Sequence, residues 1–266
     1  MDIINKELEL LKKTIQNGIN EILPDSSISK FIFESGKYIR TRIALLYFKT
    51  LGCNTENSIY SILAAGELMH NASLLHDDVI DNARERRNDT TIAQKYSSKI
   101  SILAGDYLLS LVFEKLSTLD SIVINNFKDC AQQMTEAEIK QFFLRGDIPD
   151  KDEYLSICEG KTASLFKTIL KSCAKELNQD ENLAETFGKY FGICFQIKND
   201  LNPDSANADL ENGIYTARDV MGIEKTVQLL DNYKEEMLLL LKGAPDNIYK
   251  KTLEDSIIKL CTIEKS

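Results

Sequence analysis

The sequence contains no tryptophan, only two histidines and only four prolines among its 266 residues. Because His70 and His76 are the only imidazoles, neither a zinc site built on histidines nor a serine–histidine–aspartate triad is expected. The six cysteines show no CxxC spacing, which is typical of reduced thiols. We therefore predict a cytoplasmic protein with reduced thiols and with neither a zinc site nor a serine triad.

Long apolar runs and a basic excess are also missing. No window approaches eighteen uncharged apolar residues, so no segment is predicted to span a membrane. The charged, amphipathic N-terminus is not typical of a signal peptide. Since the net charge is -9 and no basic stripe is present, nucleic acid is not expected as a partner. A few cations lie near acidic residues, which favours a small anionic ligand.

Helix-breaking residues are sparse, because only twelve glycines accompany the four prolines. Apolar residues recur at helical spacing almost everywhere, and alternating strand patterns are absent. We predict an all-α protein that forms a single domain over residues 1–266. The predicted helices cover residues 3–21, 27–52, 56–82, 90–95, 99–118, 120–145, 150–176, 181–200, 222–242 and 246–264.

The most informative segment is the acidic pentapeptide DDVID at residues 77–81. Asp77 and Asp81 are one helical turn apart, so both carboxylates project from one helix face. Such like charges destabilise a helix unless a cation binds them. Oxygen ligands suit Mg²⁺, and neighbouring Asp78 is a third candidate ligand. The alternative is a solvated, charged helix end.

Three other groups carry candidate chemistry. His70 and Ser73 share the face of the acidic pair, although His70 also fits a core histidine. Lys37 and Arg40 are three residues apart, which predicts one cationic helix face; surface helices often show such pairs without a role. A glycine inside a helix costs about 1 kcal/mol relative to alanine. Gly160 therefore predicts a kink that aims Lys161.

In this order, these segments resemble the trans-type polyprenyl diphosphate synthases, with motifs closest to the long-chain octaprenyl enzymes. The likeness extends through most of the chain and includes six ordered segments: GKYIRTR, HNASLLHDDVIDNARERR, ILAGDYLL, AEIKQ, EGKTASLF and FGICFQIKND. The resemblance implies an all-α isoprenoid synthase bundle around a central cavity, active as a homodimer. It also implies Mg²⁺-dependent condensation of isopentenyl diphosphate with an allylic diphosphate, either farnesyl or geranyl, and peripheral membrane association for product release.

The resemblance assigns roles to individual positions. Asp77 and Asp81 are expected to hold Mg²⁺, with Asp78 beside them and Asp200 as a weak further ligand. Arg86 and Lys161 are expected to contact the allylic diphosphate. The isopentenyl diphosphate pocket is expected to contain Lys37, Arg40, His70 and Arg87. Thr162, Phe195 and Gln196 are expected to line the reaction centre.

Product length is expected to depend on the residues that precede the first aspartate-rich motif. Ala72 and Ser73 are small, so they leave the elongation tunnel open, and Met69 lies about one turn deeper. We predict a medium or long all-trans product, with octaprenyl diphosphate for quinone side chains as the specific expectation. A geranylgeranyl or farnesyl length remains the shorter alternative, and Ala72 also fits a close helix-packing contact.

The second aspartate-rich motif departs from the family pattern. Asn199 replaces its first aspartate and Pro203 its third, whereas Asp200 is retained. Around 203–208 and 217–219 the chain is shorter than the pattern, either through deletions or through residues missing from the recorded sequence. Three readings stay open: a divergent but active synthase, a catalytically weakened binding or regulatory subunit, and a terpene cyclase. Lys37, Arg40 and His70 argue against a cyclase, which needs no second diphosphate.

Overall fold

The computed structural model describes residues 2–19, 36–86 and 89–263. Within these ranges the chain is almost entirely helical, which confirms the all-α prediction. The strands β1 (Glu85–Arg86) and β2 (Asp89–Thr90) pair antiparallel in a short hairpin that the sequence analysis missed. The helices are α1 (Asp2–Ile19), α2 (Ile39–Thr50), α3 (Asn57–Ile80), α4 (Ile92–Lys95), α5 (Ser98–Leu116), α6 (Ser121–Phe143), α7 (Lys151–Cys158), α8 (Ser164–Glu176), α9 (Glu181–Asp200), α10 (Pro203–Glu211), α11 (Ala217–Leu240) and α12 (Ile248–Cys261).

The described residues form two compact units. The described residues within 1–45 and 55–124 form the first unit, and those within 46–54 and 125–266 form the second. The prediction of a single domain over 1–266 stays a prediction. Among the described helices, none combines the length and apolar composition that a membrane span requires.

In the first unit, α3 packs lengthwise against α5. The Ser101 hydroxyl donates to the Leu75 carbonyl over 2.8 Å. A Cβ built on Gly105 would come within 2.3 Å of the His76 imidazole, so a larger residue here would require that ring to move. The last turn of α3, which carries the acidic motif, is therefore fixed against α5.

One predicted helix start was wrong, and one helix was not predicted. Helix α2 begins at Ile39 rather than at 27, because Tyr38 adopts a left-handed φ of 51° that a helix does not continue through. The part of that prediction before residue 36 lies outside the described residues. Helix α10 begins at Pro203, in a segment where no helix was predicted. Helix α11 begins at Ala217 but is kinked at Gly222, whose φ of 77° is not helical, and the predicted helix start at 222 coincides with this kink.

The second unit contains a very close approach between α8 and α9. A Cβ on Gly188 would lie 2.8 Å from the Phe166 carbonyl, and a Cβ on Gly192 would lie 2.5 Å from the Ala163 Cα. These obstacles are backbone atoms, which cannot turn aside as a flexible side chain can. The glycine pair therefore sets how near α9 lies to the segment that carries Thr162.

We expect Gly192→Ala to lower the free energy of unfolding by about 1–3 kcal/mol, because the added methyl group overpacks this contact. The better helix propensity of alanine offsets part of that loss, by up to about 1 kcal/mol. Urea unfolding followed by circular dichroism measures the change. The matched control is Gly243→Ala, whose Cβ would meet nothing within 4 Å and should stay within about 0.5 kcal/mol of the wild type. Equal transition midpoints for both variants would contradict the packing argument.

Candidate active site

Asp77 and Asp81 lie at the C-terminal end of α3, as the sequence analysis predicts. Asp81 caps the helix, and its N–H donates to the Asp77 carbonyl over 2.8 Å, so the two residues remain one turn apart. Both side chains are half-buried. A helix C-terminus carries negative partial charge, and two carboxylates add to it. This end of α3 therefore favours a cation.

The donor set suits Mg²⁺ in particular. Within the described ranges, no cluster of three or more histidine, cysteine, aspartate or glutamate residues could hold a metal ion. Two carboxylates alone are what Mg²⁺ commonly takes from a protein, because water and substrate phosphates complete its octahedral shell. Asp77 and Asp81 therefore fit this ion.

Asp78 has a different environment from its two neighbours. Its side chain is fully buried, and Oδ1 accepts a hydrogen bond from Arg86 Nε at 2.6 Å. This ion pair ties the β1–β2 hairpin to the end of α3. It argues against Asp78 as a metal ligand, a role that stays a prediction. The Arg86 side chain is 26% exposed, and the contact uses one of its five N–H donors.

The residues expected to hold isopentenyl diphosphate are only partly described. Arg87 lies outside the described residues. Lys37 is exposed and precedes α2, whereas Arg40 is half-buried in its first turn. The prediction that these two cations share one helix face is therefore wrong, since Tyr38 breaks the helical path between them. His70 is half-buried on α3.

The start of α2 is anchored to α3 through a buried glutamate. Glu67 is 4% exposed, and its Oε1 accepts a hydrogen bond from the Thr41 hydroxyl at 2.7 Å. Arg40 precedes Thr41 directly, so this contact fixes its backbone relative to α3. Glu67 was not predicted from the sequence, although a lone charged residue in an apolar helical stretch was an available signal.

The three residues predicted to limit product length lie in the same helix. Ala72 is fully buried and Met69 is 4% exposed, while Ser73 is half-buried. The Ser73 hydroxyl donates to the His70 carbonyl over 2.8 Å. The Ser73 hydroxyl is the only polar side-chain group among these three residues, and it is already hydrogen-bonded within the helix. Their role in product length stays a prediction.

In the second unit, the predicted irregularity at Gly160 is a single π-helical turn, Glu159–Ala163, between α7 and α8. Such turns insert one extra residue and re-aim the side chains that follow. Lys161 Nζ lies 2.5 Å from Glu138 Oε2 and donates to Gln141 Oε1 at 2.7 Å. The positive charge of Lys161 is therefore balanced by a carboxylate from α6.

Thr162, Gln196 and Asp200 form a continuous hydrogen-bonded chain. The Thr162 hydroxyl donates to Gln196 Oε1 at 2.7 Å, and Gln196 Nε2 donates to Asp200 Oδ1 at 2.7 Å. Asp200 Oδ2 accepts from the Tyr154 hydroxyl at 2.5 Å and from the Ala217 N–H at 3.2 Å. Burial raises the pKa of Asp200, and the hydrogen bonds from Tyr154 and Gln196 act in the opposite direction.

The second aspartate-rich motif does not fit a metal site. Asn199 is exposed, Pro203 offers no ligand and begins α10, and Asp200 is 5% exposed with both oxygens engaged inside the protein. Gln196 and Asp200 were predicted from the sequence, whereas Tyr154 was not, because no local signal points to it. The T-x-x-D signature of a helix start was also not recognised; Thr216 and Asp219 form a capping box there.

Known proteins of similar sequence match most of this chain. The family model described as polyprenyl synthetase matches residues 24–237. The decaprenyl-diphosphate synthase of Dictyostelium discoideum is 36% identical over 189 residues, which are 69% of this chain and 41% of that protein. The octaprenyl diphosphate synthase of Haemophilus influenzae is 29% identical over 240 residues, which are 87% of this chain and 72% of that protein. The alignment thus spans less than half of the first relative.

Solved structures share the fold. The heptaprenyl diphosphate synthase of Staphylococcus aureus superposes with a TM-score of 0.85 at 23% identity, covering 97% of this chain and 98% of that one. A polyprenyl synthase from Caulobacter crescentus, complexed with calcium and isoprenyl diphosphate, gives a TM-score of 0.80 at 19% identity, covering 98% and 97%. With the family model matching most of its length, this chain belongs to the polyprenyl synthetase family and has the isoprenoid synthase fold.

Proposed function

We propose that this chain is a prenyltransferase that condenses isopentenyl diphosphate with an allylic diphosphate, farnesyl or geranyl, to give an all-trans polyprenyl diphosphate. The observation that carries the proposal is the Asp77–Asp81 pair at the negative end of α3, with the guanidinium of Arg86 held close by through Asp78. Membership of the family and relatives named as octaprenyl and decaprenyl diphosphate synthases support it.

The reaction needs charge stabilisation more than it needs a nucleophile. The allylic C–O bond breaks and its electron pair leaves with the diphosphate. The alkene of isopentenyl diphosphate supplies the pair for the new C–C bond, and the product cation then loses a proton. We assign Arg86 and Lys161 to the leaving diphosphate, because fixed cations stabilise charge that develops there. Lys37, Arg40, His70 and Arg87 are assigned to isopentenyl diphosphate.

Asp77 and Asp81 are the residues that would hold Mg²⁺. When bound, the ion would neutralise charge on the diphosphate leaving group. The Caulobacter polyprenyl synthase is complexed with calcium and isoprenyl diphosphate, which supports a hard divalent cation and a diphosphate as ligands of this chain. We further propose a cytoplasmic homodimer that associates with membranes peripherally when it releases its product.

We expect the purified chain to elongate farnesyl diphosphate with labelled isopentenyl diphosphate when Mg²⁺ is present, and to stop when the ion is chelated. Thin-layer or liquid chromatography of the dephosphorylated products measures both rate and length. Absence of elongation at every Mg²⁺ concentration would contradict the proposal.

Asp77→Asn and Asp81→Asn are each expected to lower kcat by about a hundredfold or more, since each removes charge where the leaving group must be stabilised. The amide keeps the size of the side chain but loses its charge. The matched control is Asp106→Asn, an exposed aspartate on neighbouring α5. A loss of the same size in the control would mean that general stability, not the pair, is being measured.

Ala72→Phe is expected to shorten the product, because a bulky ring would close a tunnel that alanine leaves open. Ala72 is fully buried, so the variant is first checked by thermal unfolding. Ser73→Phe is the second variant, since its half-buried position tolerates a larger group more readily. Folded variants of both kinds with unchanged product length would refute the tunnel assignment and favour helix packing as the reason for alanine.

The exposed amide of Asn199 favours one alternative, a catalytically weakened subunit that binds ligand or a partner chain. Asn199→Asp restores the first carboxylate of the second motif and distinguishes an active synthase from a weakened subunit. If the natural chain is an active synthase, the change should alter kcat by less than about tenfold. A much larger gain would favour the weakened subunit.

A further inference from the structure

The buried carboxylate of Asp200 is fixed from three elements of the second unit. Tyr154 reaches it from α7, Gln196 lies one turn back on α9, and the N–H of Ala217 comes from the start of α11. The side chain of Tyr154 is itself buried at 5% exposure. Oδ2 accepts two hydrogen bonds, Oδ1 accepts one, and the residue is 5% exposed, so a divalent ion would have to displace a donor or open this packing to bind the carboxylate.

This arrangement also fixes the direction of every hydrogen bond in the chain. The Ala217 N–H can only donate, and a carboxylate can only accept. Asp200 therefore selects the orientation of Gln196 in which Nε2 faces the carboxylate and Oε1 faces Thr162. The Thr162 hydroxyl must then donate to Oε1, so its lone pairs point elsewhere.

We propose that Asp200 is a positioning residue rather than a metal ligand in this chain, and that Tyr154 and Asp200 together orient the Gln196 amide and the Thr162 hydroxyl. The inference rests on the proposed function in one respect, namely that Gln196 and Thr162 line the reaction centre. It assigns a role to Tyr154, and it leaves the metal requirement to Asp77 and Asp81 alone.

The variants Tyr154→Phe, Asp200→Asn and their combination test the proposal. Each single change should lower kcat by about tenfold to a hundredfold, because it misplaces a group in the reaction centre. The KM and the Mg²⁺ concentration that gives half-maximal activity should stay within about twofold of the wild-type values. The double variant should be little worse than the poorer single one, because both changes break the same chain of contacts. The control Tyr190→Phe removes a hydroxyl from a half-buried tyrosine on α9 and should leave kcat unchanged.

Metal binding gives a second readout that does not need turnover. Mn²⁺ is titrated into each variant with inorganic diphosphate and followed by electron paramagnetic resonance. Asp200→Asn should bind Mn²⁺ as the wild type does, whereas Asp77→Asn should bind it more weakly by about tenfold or more. Circular dichroism and thermal unfolding test whether the variants are folded. Tyr154→Phe removes one oxygen atom and is a milder change than Asp200→Asn.

Two results would overturn the proposal. The first is that Asp200→Asn weakens Mn²⁺ binding, or raises the Mg²⁺ concentration needed for activity, as much as Asp77→Asn does. The other is wild-type kcat in folded Tyr154→Phe and Asp200→Asn. If the wild-type chain itself does not elongate, the proposed function fails, and the Mn²⁺ titration still decides whether Asp200 binds metal.

Discussion

The second unit depends on a carboxylate that has almost no contact with water. An unpaired charge at the position of Asp200 would cost several kcal/mol, so the fold must supply donors for both oxygens. It does so from Tyr154, Gln196 and the Ala217 N–H. Three helices that are distant in sequence are thereby tied to one point. The close contact of α9 with the Gly160–Ala163 segment, which Gly192 allows, brings Thr162 within reach of the same network.

A similar use of charge occurs in the first unit. Asp78 is fully buried and pairs with Arg86, so the middle aspartate of the first motif organises the protein just as Asp200 does in the second. The outer positions of the two motifs differ. Asp77 and Asp81 are half-buried carboxylates, whereas the second motif offers an exposed amide at Asn199 and a proline at 203. The motifs therefore keep similar internal contacts, whereas among the described side chains only the first motif has a donor set that suits Mg²⁺.

Much of the architecture could be predicted because helical periodicity is a local property. The bounds of α3, α5 and α9 differ from their predicted ranges by at most two residues at each end. The errors lie where local rules compete. Tyr38 takes a left-handed φ, which no pattern of apolar residues reveals, and this separates Lys37 from the helix of Arg40. No helix was predicted at Pro203, although proline is well suited to the first turn of a helix.

The sequence by itself determined the all-α fold, the family and the one-turn spacing of Asp77 and Asp81, since apolar periodicity, the order of motifs and residue spacing can all be read along the chain. Only the tertiary structure decided which aspartates face solvent and which are buried. Asp77 and Asp78 are adjacent in sequence, yet one is half-buried and the other is closed off by Arg86. Likewise, nothing near Asp200 in sequence points to Tyr154. Burial and hydrogen-bond partners depend on which helices pack together, and that is a property of the folded chain rather than of any motif.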